Sequence, residues 1–347
     1  MKIKSTILQI SICCLIIAVT AGYLLKGDGL EVFLRTLRRI SAGSIALMFF
    51  LLLSYILLES VIIKVILGAL EEQVSMRQCI RYSFLGFFFY CITPAGSGEQ
   101  PMQLLAMHRD GLSAPKCVYA LTLITITFKL SIVMLALGAF CIRGQAMISM
   151  LGPIVPFVII GIILSVLCIL AFAGLLWIPE IVERVMRWAL ALLSKLGVIK
   201  NREKFDKKIT SFMAKYIEAL GIGRSKRSLL LTVIGITAVQ RSCLFAITGI
   251  AGIATGHYGI GILDATFVQA MIQLATEMLP LPGGTGLSEI FFMKVFGGMY
   301  GGDSLSVLML SRGMSFYAQI AVCGIASLGF AISERIKKGT RIGVYKK

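Results

Sequence analysis

Apolar residues run along the chain in long blocks separated by short polar stretches. The blocks at 7–25, 41–70, 117–142, 149–178, 229–254 and 304–332 each approach or exceed the roughly 20 residues that carry a helix across a bilayer. They predict six membrane-spanning helices. The block at 41–70 is longer than an upright span and is expected to tilt or to emerge near Lys64. The block at 7–25 follows Lys2 and Lys4, as a secretory signal would. Its apolar part is long and no small-x-small cleavage site leads into a soluble domain, so it reads as the first membrane helix.

Two further blocks, 78–110 and 263–300, are interrupted near their middles. The first break is Pro94-Ala95-Gly96-Ser97-Gly98-Glu99; the second is Pro282-Gly283-Gly284-Thr285-Gly286, with Glu289 three residues on. Both read Pro-small-Gly-hydroxyl-Gly. Each limb is too short for an upright span, so hairpins that dip into the bilayer are predicted. Glycine and proline interrupt helices, and lipid tolerates the freed backbone groups only where the break lines a protein cavity or a wet site. Matching breaks in two halves of a membrane chain point to a transport site. The expected fold is an all-α polytopic membrane protein with about six full transmembrane helices plus two oppositely oriented re-entrant hairpins, eight apolar segments in an inverted repeat. Its halves are 1–145 and 146–333, followed by a basic tail at 334–347.

Composition supports this pattern. The chain has 347 residues, 57% hydrophobic and 15% charged, and its mean hydropathy is +0.90. A soluble domain does not have that balance. The net charge of +17 sits mainly in loops and at the C-terminus, which follows the positive-inside pattern and argues against nucleic acid as a partner. The basic segment 179–228 carries Ile181, Val185, Trp188, Ala189 and Leu192 at helical spacing. It predicts an amphipathic helix pair on anionic headgroups at the cytoplasmic face. That segment and the C-terminus are read as cytoplasmic, and the loops near 258 and 300, which lack Lys and Arg, as external. Counting back makes the N-terminus cytoplasmic. Lys26, Arg35, Arg38 and Arg39 then fall outside, against the rule, and a surface helix is expected there.

The nine cysteines lie in or beside apolar stretches with no Cys-x-x-Cys spacing, and only His108 and His257 are available. The cysteines read as small packing residues, and neither a metal nor another cofactor is expected. No P-loop, zincin or nucleophile-elbow motif occurs.

Leu281-Pro282-Gly283-Gly284-Thr285-Gly286-Leu287-Ser288-Glu289 resembles the Pro-Gly-Gly-x-Gly-x-x-Glu signature of the lysylphosphatidylglycerol synthase transmembrane region, a flippase-like family. Gly98-Glu99 resembles that family's first motif, and Met102 stands where many relatives carry an Arg. The resemblance spans nearly the whole chain. It implies a lipid transporter of the cell membrane, moving a phospholipid or an aminoacylated phospholipid between leaflets, and through such lipids a link to antibiotic resistance. Bifunctional relatives carry a cytoplasmic domain that transfers lysine from aminoacyl-tRNA to phosphatidylglycerol. Only 14 residues follow Ser333, so transport is expected in preference to transfer, with membrane-embedded phosphatidylglycerol lysyltransferase as the alternative. A homo-oligomer or a separate lipid synthase is a candidate partner.

The breaks supply candidate binding residues. Ser97-Gly98-Glu99-Gln100 fits a capping box with Ser97 as N-cap, and Thr285 or Gly286 caps the second outgoing limb. Each limb then points a positive helix end at the bilayer middle, where it favours a phosphate. Pro94, Gly96, Ser97, Gly98, Pro282, Gly283, Gly284, Thr285 and Gly286 form these turns. Glu99, Glu277 and Glu289 are acids at membrane depth and functional candidates by that placement. Toward a cationic aminoacyl headgroup, they would take the ammonium. Lys129, Arg241 and Arg312 are bases inside spans, set to neutralise these acids or hold a phosphate; Gln103, Gln269 and Gln273 are set to line a polar cavity. Glu59, close in sequence to Lys64, is expected to snorkel at an interface.

Overall fold

The computed structural model describes residues 29–195, 202–277 and 286–344, and its elements are helices. In chain order they are α1 (Gly29–Arg39), α2 (Ala42–Ala69), α3 (Met76–Ile92), α4 (Glu99–Arg109), α5 (Ala114–Arg143), α6 (Gln145–Leu151) and α7 (Val155–Trp177). Then come α8 (Pro179–Lys195), α9 (Arg202–Ser225), α10 (Arg227–Ala254), α11 (Ile262–Thr276), α12 (Leu287–Tyr300), α13 (Ser304–Arg312) and α14 (Gln319–Val344). Five helical stretches are long and apolar enough to cross a membrane: Ala42–Ala69, Ala114–Arg143, Gln145–Trp177, Ser228–Ala254 and Leu287–Ser333. They match five of the expected spans. The sixth, at 7–25, lies outside the described residues, as do Lys26 and Pro282, Gly283, Gly284 and Thr285.

Two spans depart from the expected single rods. The block at 149–178 is a short α6 joined through a 3-10 turn at Gly152–Ile154 to α7. Gly152 takes φ 51° there, a conformation that bends the chain without a Cβ penalty. The block at 304–332 is interrupted by a π-helical turn at Gly313–Ala318 between α13 and α14. Helix α12 turns back into α13 at Gly301: the Ser304 hydroxyl donates to the Phe296 carbonyl at 3.3 Å. Eight residues along a straight helix would be about 12 Å apart.

Local chemistry sets the helix starts. Ser41 accepts from the Ser44 amide at the head of α2, and Ser75 and Gln78 form a complete capping box on α3. Pro115 stands in the first turn of α5, where its missing N–H is not needed.

Helix α5 is the most enclosed, with neighbours α2, α4, α7, α9, α10 and α11 around it. Helix α10 lies along α2; α14 packs on α3 and α5 on α11. A Cβ on Gly161 of α7 would strike the Leu274 backbone of α11, so these helices meet at main-chain distance. Outward faces are apolar instead: Phe50, Leu167 and Leu170 are each more than half exposed, as lipid-facing side chains are.

Polar contacts sort the turns into two ends. At one, Arg81, Tyr82 and Gln78 of α3 all donate to Asp110, just past α4. Lys116 pairs with Glu72 at 3.4 Å at the same end. At the other, Arg143 makes a two-pronged contact with Asp264 at 2.6 and 2.9 Å, and His257 approaches Asp303. The α3–α4 pair therefore begins and finishes at the first end, while α11 starts from the opposite one.

Helix α1 forms where a surface helix was expected. It packs on α13, with Thr36 donating to Ser306 at 2.9 Å. Arg35, Arg38 and Arg39 thus sit at the end that holds Asp264 and Asp303. The basic segment 179–228 forms the pair α8 and α9, apart from 196–201, which lie outside the described residues. Ile209, Met213 and Tyr216 are buried toward the bundle, and Val185, Trp188 and Leu192 face outward. Tyr216 ties α9 to the Leu175 carbonyl of α7 at 3.0 Å.

Candidate functional site

The first break, 93–98, is held by its own side chains. Thr93 donates to the Phe89 carbonyl at 2.6 Å and accepts from the Gly98 amide at 2.9 Å. Ala95 and Gly96 both take positive φ, 50° and 66°. For alanine this is a strained conformation that only a firm surrounding maintains. A Cβ on Gly96 would also meet the Tyr90 ring.

The expected capping box at Ser97 does not form. Helix α4 starts at Glu99 with Gly98 as N-cap and no side-chain cap. The Ser97 amide, which the box would use, donates to the Pro94 carbonyl at 3.0 Å, and the helix begins one residue later. Gln100 turns instead to the Thr125 hydroxyl of α5. At the second break Gly286 is the N-cap of α12, and its amide donates to Glu289 at 2.6 Å. Thr285 lies outside the described residues.

Between the helices are two adjoining polar cavities. The larger, about 200 Å³, is lined by Gly96, Ser97, Glu99, Gln103, Lys129, Arg241 and Glu277, among others. The smaller, about 40 Å³, is lined by Gln269, Gln273, Arg312, Ser315 and Gln319. Tyr55, Tyr90, Phe128 and Arg241 line both and separate them. The smaller volume is of the order of one or two water molecules; the larger holds several.

Charged groups in and around these cavities are mostly paired. Lys129 of α5 meets Glu277, just past α11, at 2.7 Å. Arg312 of α13 meets Glu289 of α12 at 2.7 Å, and Ser288 adds a bond to the same carboxylate at 2.9 Å. Arg241 donates to the Tyr55 hydroxyl at 2.9 Å, and its guanidinium lies 3.9 Å from the Phe128 ring centroid. A delocalised cation between aromatic faces keeps part of the stabilisation it loses on leaving water. Glu99 differs. It lines the larger cavity at the head of α4 and has no ion-pair partner among the described residues. Gln103, one turn further, is 1% exposed, with neither amide atom hydrogen-bonded. The second oxygen of Glu277 is likewise without a partner. Buried polar atoms normally find partners, so these groups set this wall of the cavity apart from its paired neighbours.

Of the sequence candidates, Gly96, Ser97, Glu99, Gln103, Lys129, Arg241 and Glu277 meet in one cavity, and Arg312 reaches the other. Pro94 is exposed and Gly98 packs under Thr93; both shape the turn without lining the cavity. Glu289 is engaged by Arg312 and its own helix start. Glu59 corrects an expectation: it is 1% exposed and accepts from Gln240 of α10 at 2.9 Å, while Lys64 bonds the Val74 carbonyl. Five residues of helix turn Lys64 about 140° away from Glu59, so nearness in sequence misled. Tyr55, Tyr90, Phe128 and Gln240 were also missed. Gln240 and Glu59 carried a usable signal, being polar residues in the middle of apolar spans, which must pair with something.

A model of the lysylphosphatidylglycerol synthase TM region matches residues 7–323. The chain belongs to that family. The match takes in both breaks, the residues lining the two cavities, four of the described membrane-spanning stretches and most of the fifth. No match was found among curated proteins. Family membership makes this lysylphosphatidylglycerol synthase TM-region protein a multi-pass membrane protein concerned with lysylphosphatidylglycerol-related lipid handling.

Proposed function

We propose that the chain is a lipid transporter that moves a phospholipid, or an aminoacylated phospholipid, between the leaflets of the cell membrane. The observation that carries this is the pair of charged cavities enclosed by apolar helices, one at the break between α3 and α4 and one between α10, α11 and α13. Charge at that depth is expensive, and function is the usual reason for it. On this reading α3–α4 and α11–α12 are re-entrant hairpins of two inverted halves, with both termini cytoplasmic. The packing of α14 on α3 against that of α5 on α11 supports the inverted relation.

The headgroup chemistry follows from the charges. Glu59, Glu99, Glu277 and Glu289 are four buried or cavity-lining acids, set against Lys129, Arg241 and Arg312. An ammonium beside Glu99 supplies the missing positive charge, while the uncapped first turn of α4 and Arg241 take the phosphate. Alternate opening around the aromatic divide between the cavities then carries the headgroup from one side to the other.

The test is reconstitution of the purified chain in vesicles that hold lysylphosphatidylglycerol, following exposure of its amine to an impermeant reagent. Protein-dependent exposure of the inner pool is expected. Rates equal to those of protein-free vesicles, for the aminoacylated lipid and also for phosphatidylglycerol read by impermeant periodate at its headgroup diol, would overturn the proposal.

A further inference from the structure

A third cavity, about 630 Å³, opens on the outside of the bundle between α5, α7 and the junction of α9 with α10. Its walls are apolar, from Leu123 and Ile126 of α5, Leu176 and Trp177 of α7, and Leu229 and Leu231 of α10. At its rim stand Arg224 and Lys226, and no carboxylate among the described residues lines it. Arg224 spends one donor on the Leu176 carbonyl at 2.8 Å, and Lys226 one on the Ala69 carbonyl at 2.7 Å. An arginine has five N–H donors and a lysine three, so both retain donors for a ligand, with their heads fixed in place. Helix α10 also begins here without a side-chain cap, which adds a positive helix end to the same rim.

The groove does not share the transport cavities' walls. Tyr119, Leu123 and Ile126 lie on one face of α5, whereas Ile124, Thr125, Phe128 and Lys129 lie on the other. At about 100° per residue these sets are centred roughly opposite each other.

We propose that this groove binds a resident anionic glycerophospholipid, with an acyl chain along the leucine-lined wall and the phosphate on Arg224 and Lys226. Charge complementarity selects the occupant: two fixed cations and a helix start, with no acid among the described residues, at the mouth of an apolar channel that faces the membrane. The lipid would brace α9 and α10 against α5 and α7 and is not the transported molecule. The inference needs only that the chain lies in a membrane, so it stands or falls separately from the transport reading.

Trp177, 68% exposed at the groove, is one of only two tryptophans. In full-length Trp188→Phe protein it becomes the single reporter. The protein is reconstituted in phosphatidylcholine with a minor fraction of brominated phosphatidylglycerol, and Trp177 quenching is read against its mole fraction. Two basic side chains predict quenching equivalent to roughly thirtyfold enrichment. Brominated phosphatidylcholine at the same fraction should quench only as its share of the bilayer. Arg224→Gln with Lys226→Gln should remove the enrichment, while Lys207→Gln with Lys208→Gln, the same loss of charge on the outer face of α9, should retain it. Ala173→Phe, which narrows the groove from α7 and spares both cations, should reduce it. Equal quenching by the two brominated lipids in the parent overturns the site whether or not any variant folds. So does equal loss in both double variants.

Discussion

The two helix breaks carry the same kinds of residue and use them differently. At the second, Glu289 is bound on every side: Arg312 at 2.7 Å, the Gly286 amide at 2.6 Å and the Ser288 hydroxyl at 2.9 Å. At the first, Glu99 stands at an uncapped helix start on the wall of a 200 Å³ cavity without an ion-pair partner among the described residues. One acid fastens α12 to α13. The other faces an open cavity. A repeated motif therefore does not specify a repeated helix start, since the N-cap Gly98 takes φ -84° and the N-cap Gly286 φ 91°, and the surrounding helices decide which acid is paired.

The largest expected effect comes from unfastening the closed break. Arg312→Ala strands Glu289, whose side chain is only 6% exposed, and should lower stability by about 3–5 kcal/mol. Thermal unfolding in detergent measures it, and Arg312→Met with Glu289→Met should recover most of the loss. A single mutant as stable as the parent would mean that Glu289 is not held as described.

Smaller effects separate the two turns. Gly96→Ala combines an unfavourable φ of 66° with a clash against Tyr90, whereas Gly286→Ala meets the strain of φ 91° with no atom of the described residues within 4 Å of the added Cβ. The first should cost about 2–3 kcal/mol and the second about 1. The reverse order of melting temperatures would contradict this account of the first turn. The smallest effect belongs to Arg143→Ala at the end of the bundle. Arg143 is 45% exposed in its pair with Asp264, so less than about 1 kcal/mol is expected.

Much of this architecture was legible in the chain. Spans of 20 or more apolar residues leave few alternatives in a membrane, and five of the expected helices are found where the blocks lie. Gly and Pro marked the breaks for the same reason. The kink at Gly313–Ala318 was not legible, because an isolated glycine inside an apolar run is compatible with a straight helix, whereas the one at Gly152 had a signal in Gly152-Pro153, a turn-marking pair inside the apolar block. The site was legible by residue type and not by pairing. Lys129 and Glu277 are 148 positions apart, and only the packing of α5 on α11 brings them together. Glu59 was misread for the converse reason, since Lys64 is close along the chain and turned away on the helix. Tyr55, Tyr90 and Phe128 look like any other apolar residues of a span until the cavities between them are seen.

The most direct test of the contrast between the breaks is Glu99→Gln, assayed for lipid movement in vesicles and for melting in detergent on the same preparation. The open break predicts a melting temperature close to that of the parent, since no ion pair among the described residues is lost. It also predicts a fall in transport of about tenfold or more, the usual consequence of removing one partner of a buried charged contact. Parental transport by a stably folded Glu99→Gln protein would contradict the assignment of Glu99 to the ligand.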